Sequence, residues 1–186
     1  MIARDEAIEL VKKHITSVNM QRHCLASEAV MRALARRLCE NEEVWGMTGL
    51  LHDLDAELTS NDPASHGLVS AKLLEGKVTD EMIDAIVMHN EVASGKTRST
   101  KFQHALAAGE TITGLITATA LVYPDKKITS VKPKSIVKRM KEKAFAASVS
   151  RSHILECEQF GIGLNEFAEL ALHAMQQMEQ EPTLEN

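Results

Sequence analysis

The chain has 186 residues, 44% of them apolar, and a formal net charge of −5 at pH 7. Its length and apolar content are enough to bury one substantial core, so we expect a single domain over residues 1–186. The acidic balance argues against a protein that coats nucleic acid or an anionic membrane by bulk electrostatics.

Helix-forming residues dominate the composition, whereas aromatic residues make up only 3% of the chain. This bias favours an all-α helical bundle over a sheet. Apolar residues recur at helical spacing over 2–15 and again over 21–40. The second stripe includes His23, which we therefore expect to point into the protein.

The next two predicted helices carry further histidines. Residues 42–54 form an apolar helical pattern that ends in His52 and Asp53. The capping residues and the proline at 60–63 are typical of a helix start, so we expect a helix there with His66 in its opening turns.

Two later helices place a histidine and a carboxylate beside apolar faces. The first is predicted from Thr79 to His89. After a polar loop over 93–100, the second is predicted over 102–119, with Glu110 on its inward stripe.

The remaining predicted helices form a C-terminal extension, over about residues 134–180, to a core within about 20–120 that carries the four histidines named above. No internal repeat or domain linker interrupts the chain. The extension comprises a helix over 134–147, a short helix capped by Ser150, and a last helix from about Asn165 that frays from about Gln180.

The sequence lacks signals for disulfides, secretion or membrane insertion. Its three cysteines are widely separated and odd in number, so neither a disulfide framework nor a thiolate zinc site is indicated. It has neither a signal-peptide pattern nor an apolar run long enough to span a membrane. We expect a cytoplasmic protein.

Several polar side chains on apolar faces suggest one metal centre. A buried imidazole or carboxylate is costly unless it is paired or bound to a metal, and facing helices of a bundle can bring such groups together. Mixed nitrogen and oxygen donors suit Fe, Mn, Zn, Co or Ni better than Mg or Ca. We expect one or two divalent ions. The candidate ligands are His23, His52, Asp53, His66, His89 and Glu110.

Each candidate has a simpler interpretation when taken alone. A single histidine on an apolar face is more often a hydrogen-bonded core residue than a ligand, and His66 lies where it could be exposed. Glu110 could be a core carboxylate paired with a basic residue. Asp55 or Glu57 could support a ligating histidine from behind, or Asp55 could accept a proton, but both could equally be solvated.

The same residues resemble the HD superfamily of metal-dependent phosphohydrolases. The resemblance covers roughly residues 20–120 and depends on a combination of motifs. Neither a GYP signature nor an HDxxED motif is present. The motifs are His23-Cys24-Leu25-Ala26, Leu50-Leu51-His52-Asp53, His66-Gly67, His89, Ala107-Ala108-Gly109-Glu110 and Thr113-Gly114-Leu115.

The resemblance implies a catalytic centre around His52 and Asp53. It assigns a first ion to these two residues together with His23 and the acidic residue at 110. In dinuclear members, a second ion is bound by Asp53 and by the histidines at positions 66 and 89. The chain departs from the family at Glu110, where Asp is usual, so the longer side chain could reach the ion with a shifted backbone or leave the site weakly occupied.

A basic run over residues 126–143 has a local charge of +7, from eight basic residues and one acidic residue. Lys132, Lys134, Lys138 and Arg139 are the candidates in it for binding a substrate phosphate. By base rate, such a run is more often a solvated helix face.

These observations predict hydrolysis of a phosphoester or phosphoanhydride in a nucleotide-like, phosphorylated small molecule. The rival interpretation is a non-catalytic metal-binding, nucleotide-binding or sensing module with the same fold. A purely structural helical scaffold is a third class, which predicts no stoichiometric metal. Homodimerisation is plausible from its general prevalence alone.

Overall fold

The computed structural model describes residues 1–180, which form α-helices and two short 3-10 turns without a strand. The predicted all-α fold is confirmed. The prediction of a frayed end beyond Gln180 lies outside the described residues. The helices are α1 (Arg4–His14), α2 (Val18–Leu38), α3 (Glu42–Leu51), α4 (Leu68–Leu74), α5 (Asp80–His89), α6 (Glu91–Ser94), α7 (Lys101–Leu121), α8 (Pro133–Met140), α9 (Arg151–Leu155) and α10 (Leu164–Gln180).

Helix α2 lies at the centre of the bundle and packs against α3, α7 and α10. Val30 and Leu34 of the stripe predicted for it are fully buried, whereas His23 and Leu38 at its two ends are partly exposed. The side chain of Ser17 accepts a hydrogen bond from a backbone N–H and caps the first turn of α2. Because α7 packs against this helix, the inward faces of the two helices meet at the level of His23.

The predicted start of the fourth helix is wrong. Turns occupy the segment around Pro63, and α4 begins only at Leu68. The helix starts late because the carboxylate of Asp55 accepts hydrogen bonds from the backbone N–H groups of Gly67 and Ser70, both at 2.8 Å. This distant carboxylate performs the capping that the local sequence had assigned to residues 60–63. His66 therefore lies in a turn rather than in a helix.

The helix predicted over 134–147 ends early, at Met140. Beyond it, the guanidinium of Arg151 donates hydrogen bonds to the carbonyl oxygens of Ala146 and Val149, at 2.7 and 2.8 Å, and to that of Phe145. These contacts stabilise a folded turn in place of further helix. No helix within residues 1–180 is long and apolar enough to cross a membrane.

Candidate metal centre

Four imidazoles surround one carboxylate in the interior of the bundle. The imidazoles belong to His23, His52, His66 and His89, and the carboxylate is that of Asp53. The Nε2 atoms of His23 and His52 lie 3.5 and 3.4 Å from Asp53 Oδ2. Those of His66 and His89 lie 3.2 and 3.5 Å from Asp53 Oδ1. Five of the six predicted ligands therefore converge, with one pair of histidines on each carboxylate oxygen.

Backbone carbonyl groups hold two of these rings from behind. His52 Nδ1 donates to the carbonyl oxygen of Gly49 at 2.8 Å, and His89 Nδ1 donates to that of Ile86. A carbonyl oxygen can only accept, so the proton of each neutral ring lies on Nδ1. The Nε2 atoms of both rings therefore face Asp53.

Side chains hold the other two rings in the same way. The hydroxyl of Thr113 donates to the carbonyl oxygen of Glu110 at 2.7 Å, so it accepts from His23 Nδ1, which lies 2.9 Å away. The Nδ1 atom of His66 lies 2.9 Å from Asp55 Oδ1 and donates to it. All four imidazoles are thus oriented to present Nε2 to the same space.

This arrangement fits a cation. The Nε2 atoms of His23 and His52 are 3.3 Å apart, and those of His66 and His89 are 3.0 Å apart, so each pair needs a proton or a cation between its two nitrogen atoms. Asp53 Oδ1 is buried and accepts no hydrogen bond of good geometry. A cation in each cluster would satisfy all of these atoms. The two clusters, His23-His52-Asp53 and Asp53-His66-His89, share the aspartate.

The electrostatics of the centre keep its carboxylate charged. Burial alone would raise the pKa of Asp53, but His52 and the adjacent imidazoles outweigh burial and hold that pKa well below its usual range. Burial lowers the pKa of His23 to about 4, so this ring is neutral near pH 7. Contacts with Asp53 and Asp55 raise the pKa of His66 to about 10, so a proton and a cation compete for that ring.

A family model described as HD domain matches residues 20–123, more than half of the chain. The chain belongs to the HD domain family. Proteins of this family are generally metal-dependent hydrolases, and all six predicted ligands lie within the matched segment. Neither the comparison with curated proteins nor that with solved structures gives a match.

Glu110 lies at the edge of the HD domain centre. Its Oε2 atom is 3.9 Å from His23 Nε2, and its carboxylate belongs to neither of the two donor clusters. Burial raises the pKa of Glu110, and the hydroxyl of Thr111 donates to its carboxylate. The predicted ligand role of Glu110 therefore stays a prediction, because its carboxylate would have to move to join the first cluster.

The two acidic residues that follow His52-Asp53, Asp55 and Glu57, have different hydrogen-bond partners and therefore different roles. Asp55 is fully buried and supports His66, as one of the sequence alternatives proposed. Glu57 instead accepts hydrogen bonds from the backbone N–H groups of Thr16 and Ser17, at 2.9 and 2.7 Å. Glu57 therefore connects the turns after α3 to the start of α2, and within residues 1–180 it forms no hydrogen bond or ion pair with a histidine.

One buried arginine of the HD domain escaped the sequence analysis. Arg98 Nη1 donates to the carbonyl oxygens of Met88 and His89, at 3.0 and 3.2 Å. These carbonyl groups are at the C-terminal end of α5, where no further turn of helix can satisfy them. Arg98 therefore fixes the end of the helix that carries His89. Its position in a polar loop gives no local signal of this role.

The basic run forms a groove outside the set of metal-site residues. Lys132, Lys134 and Lys138 line a groove of about 890 Å³ together with Lys141. Arg139 does not line the groove; its guanidinium lies 4.3 Å from the centre of the Phe145 ring and also pairs with Glu142. None of the lining residues is a predicted metal ligand. The predicted role of Lys132, Lys134, Lys138 and Arg139 in binding substrate phosphate stays a prediction.

Proposed function

We propose that this HD domain protein hydrolyses a phosphoester or phosphoanhydride in a nucleotide-like small molecule with the help of one or two divalent transition-metal ions. The observation that carries the proposal is the orientation of four imidazole Nε2 atoms toward one buried carboxylate. A hydrogen-bonded histidine core would pair these nitrogen atoms with donors. Here they face one another, and a cation would satisfy them together.

Each half of the centre would hold one ion. Asp53 would contribute to both halves through its two oxygens. The first half would add His23 and His52, with Glu110 as a further ligand if its carboxylate moves inward. The second half would add His66 and His89. A divalent cation there supplies Lewis acidity, which makes a water molecule more acidic and neutralises charge on phosphoryl oxygens.

The protein's own groups prepare this site before any ligand binds. Asp55 and Thr113 hold the rings of His66 and His23 through Nδ1, so that neither ring can rotate without losing a hydrogen bond. Asp53 remains anionic because of the surrounding imidazoles. His52 and Asp53, the predicted catalytic pair, would act by holding the reacting groups at a fixed distance.

A second candidate function is a metal-binding or nucleotide-binding sensor without turnover. The position of Glu110 favours it, because this carboxylate lies outside both donor clusters while the family usually has the shorter Asp there. A sensor of this kind would bind metal but would not hydrolyse a phosphodiester.

The decisive experiment combines elemental analysis with a generic hydrolysis assay. Tag-free protein is purified without added metal, and its metal content and its hydrolysis of bis(p-nitrophenyl) phosphate are measured. The same measurements are made on the His52→Ala and Asp53→Ala variants. His173→Ala serves as the matched control, because His173 is exposed on α10.

We expect one or two equivalents of transition metal in the wild type and the control, and hydrolysis in both. Loss of metal and activity in the His52→Ala and Asp53→Ala variants would support metal-dependent hydrolysis at these two residues. Stoichiometric metal without hydrolysis would favour the sensor. If no metal binds even after reconstitution with manganese, iron or zinc, the enzyme proposal is wrong.

A further inference from the structure

A lysine-lined groove runs between α8 and α10. Its volume, about 890 Å³, falls within the range of small-molecule sites. Lys134, Lys138 and Lys141 follow one another at intervals of four and three residues, so they share one face of α8 and the turn that continues it. Ile136 and Met140 on the other face are buried in the core.

The lysines of this groove have little counter-charge. Within residues 1–180, no carboxylate lies within 4.0 Å of the ammonium groups of Lys132, Lys134 or Lys141. Lys138 Nζ lies 3.9 Å from Glu142 Oε1, a long and exposed pair. Glu169 is the acidic residue among those that line the groove. The lining thus carries four positive charges and one negative charge in a chain whose net charge is −5.

Two arginines outside the basic run illustrate the contrast, since each is paired with a carboxylate. Arg32 Nε lies 2.9 Å from Glu28, and Arg37 Nε lies 2.6 Å from Glu166. Like charges three or four residues apart on one helix repel each other. Bringing Lys134, Lys138 and Lys141 together therefore costs stability, which a bound anion would restore.

The groove and the metal centre use different helices. The ligand candidates come from α2, α5, α7 and the turns after α3, whereas the groove is lined from α8 and α10 and their flanking residues. Tyr123 Oη and Ser135 Oγ, 2.8 Å apart, anchor the start of α8 beyond the end of α7. That end, at Leu121, is about 16 Å along the helix axis from Glu110.

We propose that this groove binds an oligophosphate group independently of the metal centre. Several ammonium groups on one wall suit a ligand with several adjacent negative charges, because each phosphate can contact a separate lysine. The amide of Asn165 adds a neutral hydrogen-bonding group, and Pro133 and Val137 add apolar surface. Free polyphosphate and the phosphate chain of a nucleoside triphosphate share this chemistry.

The test is calorimetric titration of the full chain with inorganic tripolyphosphate and, separately, with ATP. The Lys134→Gln/Lys138→Gln variant removes two groove charges. The matched control, Lys126→Gln/Lys143→Gln, removes two charges from the same basic segment outside the groove lining. Titrations of EDTA-stripped wild type and of His52→Ala remove the contribution of the metal centre.

We expect saturable binding of tripolyphosphate that weakens by about tenfold or more in the groove variant and by less than about twofold in the control. The stripped protein and His52→Ala should bind as tightly as the wild type. Tighter binding of ATP would identify a nucleotide as the source of the phosphate chain, and equal binding would identify the phosphate chain alone.

If tripolyphosphate binding weakens equally in the groove and control variants, the effect comes from net charge alone and the proposal is overturned. Loss of binding in both stripped protein and His52→Ala would assign the phosphate to the metal centre and overturn it too. Because the readout needs neither metal nor turnover, failure of the proposed enzyme function would leave this result unchanged.

Discussion

Arg98 and Glu156 form a bidentate ion pair that joins the end of α5 to the chain after α9. Arg98 Nε and Nη2 lie 2.8 and 2.6 Å from the two carboxylate oxygens, and the arginine side chain is only 2% exposed. His104 Nδ1 donates to the same carboxylate at 2.7 Å. Because Arg98 also binds the carbonyl oxygen of His89, the pair connects the metal centre to the C-terminal part of the chain.

Replacing Arg98 with Met should therefore affect stability and metal binding together. Leaving Glu156 half-buried without its main partner should lower the free energy of unfolding by about 3 kcal/mol. Loss of support for His89 should weaken metal binding by about tenfold or more. Denaturant unfolding and metal titration measure the two effects.

The matched control is Arg37→Met, which breaks the exposed pair with Glu166. It should lower the free energy of unfolding by less than about 1 kcal/mol without changing metal binding. Equal effects in both variants would contradict the assigned role.

The Glu156 carboxylate should give the stability a specific dependence on acid pH. Burial alone would raise its pKa, but hydrogen bonds from Arg98 and His104 outweigh burial and hold the pKa below the ordinary value of 4.5. A lowered pKa in the folded state contributes stability above pH 4.5, and this is lost as pH falls through the folded pKa. The difference in unfolding free energy between wild type and Glu156→Gln should therefore shrink as pH falls below 4.5. A difference that stays constant in this window would show that the carboxylate charge is unimportant.

Asp55 and Glu57 offer a matched pair of acidic residues beside the centre. Asp55→Ala removes the acceptor behind His66, so metal affinity should fall by about tenfold to a hundredfold, chiefly for an ion held with His89. Glu57→Ala should leave metal affinity unchanged, because Glu57 contacts only the start of α2 among its described hydrogen-bond partners. Competition with a chromogenic chelator measures both affinities. Similar losses in the two variants would mean that Asp55 acts through the fold rather than through His66.

Gly67 should tolerate a methyl group poorly. Its φ of +87° is unfavourable for other residues, and a Cβ atom there would lie 3.1 Å from both the His89 ring and the carbonyl oxygen of Ile86. Gly76 has a φ of +71° but open space around the same position. Gly76→Ala should thus cost about 1 kcal/mol from backbone strain, and Gly67→Ala should cost more and weaken metal binding. Thermal unfolding with and without metal distinguishes the two, and identical behaviour would refute a steric contact with His89.

The sequence pattern predicted the helical fold and the inward positions of His23, His52 and His89, because both follow from apolar periodicity, but it gave no such signal for His66. The same pattern could not predict that α4 begins at Leu68, since the cap comes from Asp55, thirteen residues away. It also could not predict the pairing of Arg98 with Glu156, which are 58 residues apart. The spacing of charged residues in the sequence does not indicate which of them will pair. Such pairs are therefore identified only from the packed structure.

The hydrogen bonds made by the Nδ1 atoms of the four imidazoles affect how quickly the centre can bind a metal ion. The fold already holds each ring in one orientation with Nε2 turned toward Asp53, so an arriving ion need not wait for the rings to rotate. His52 and His89 are 1% and 6% exposed, whereas His23 and His66 are 22% and 26% exposed. Access from solvent therefore runs past His23 and His66. The rate of loading should accordingly depend on how fast the ion sheds its hydration shell at these two rings and on how fast His66 releases the proton that its raised pKa retains near pH 7.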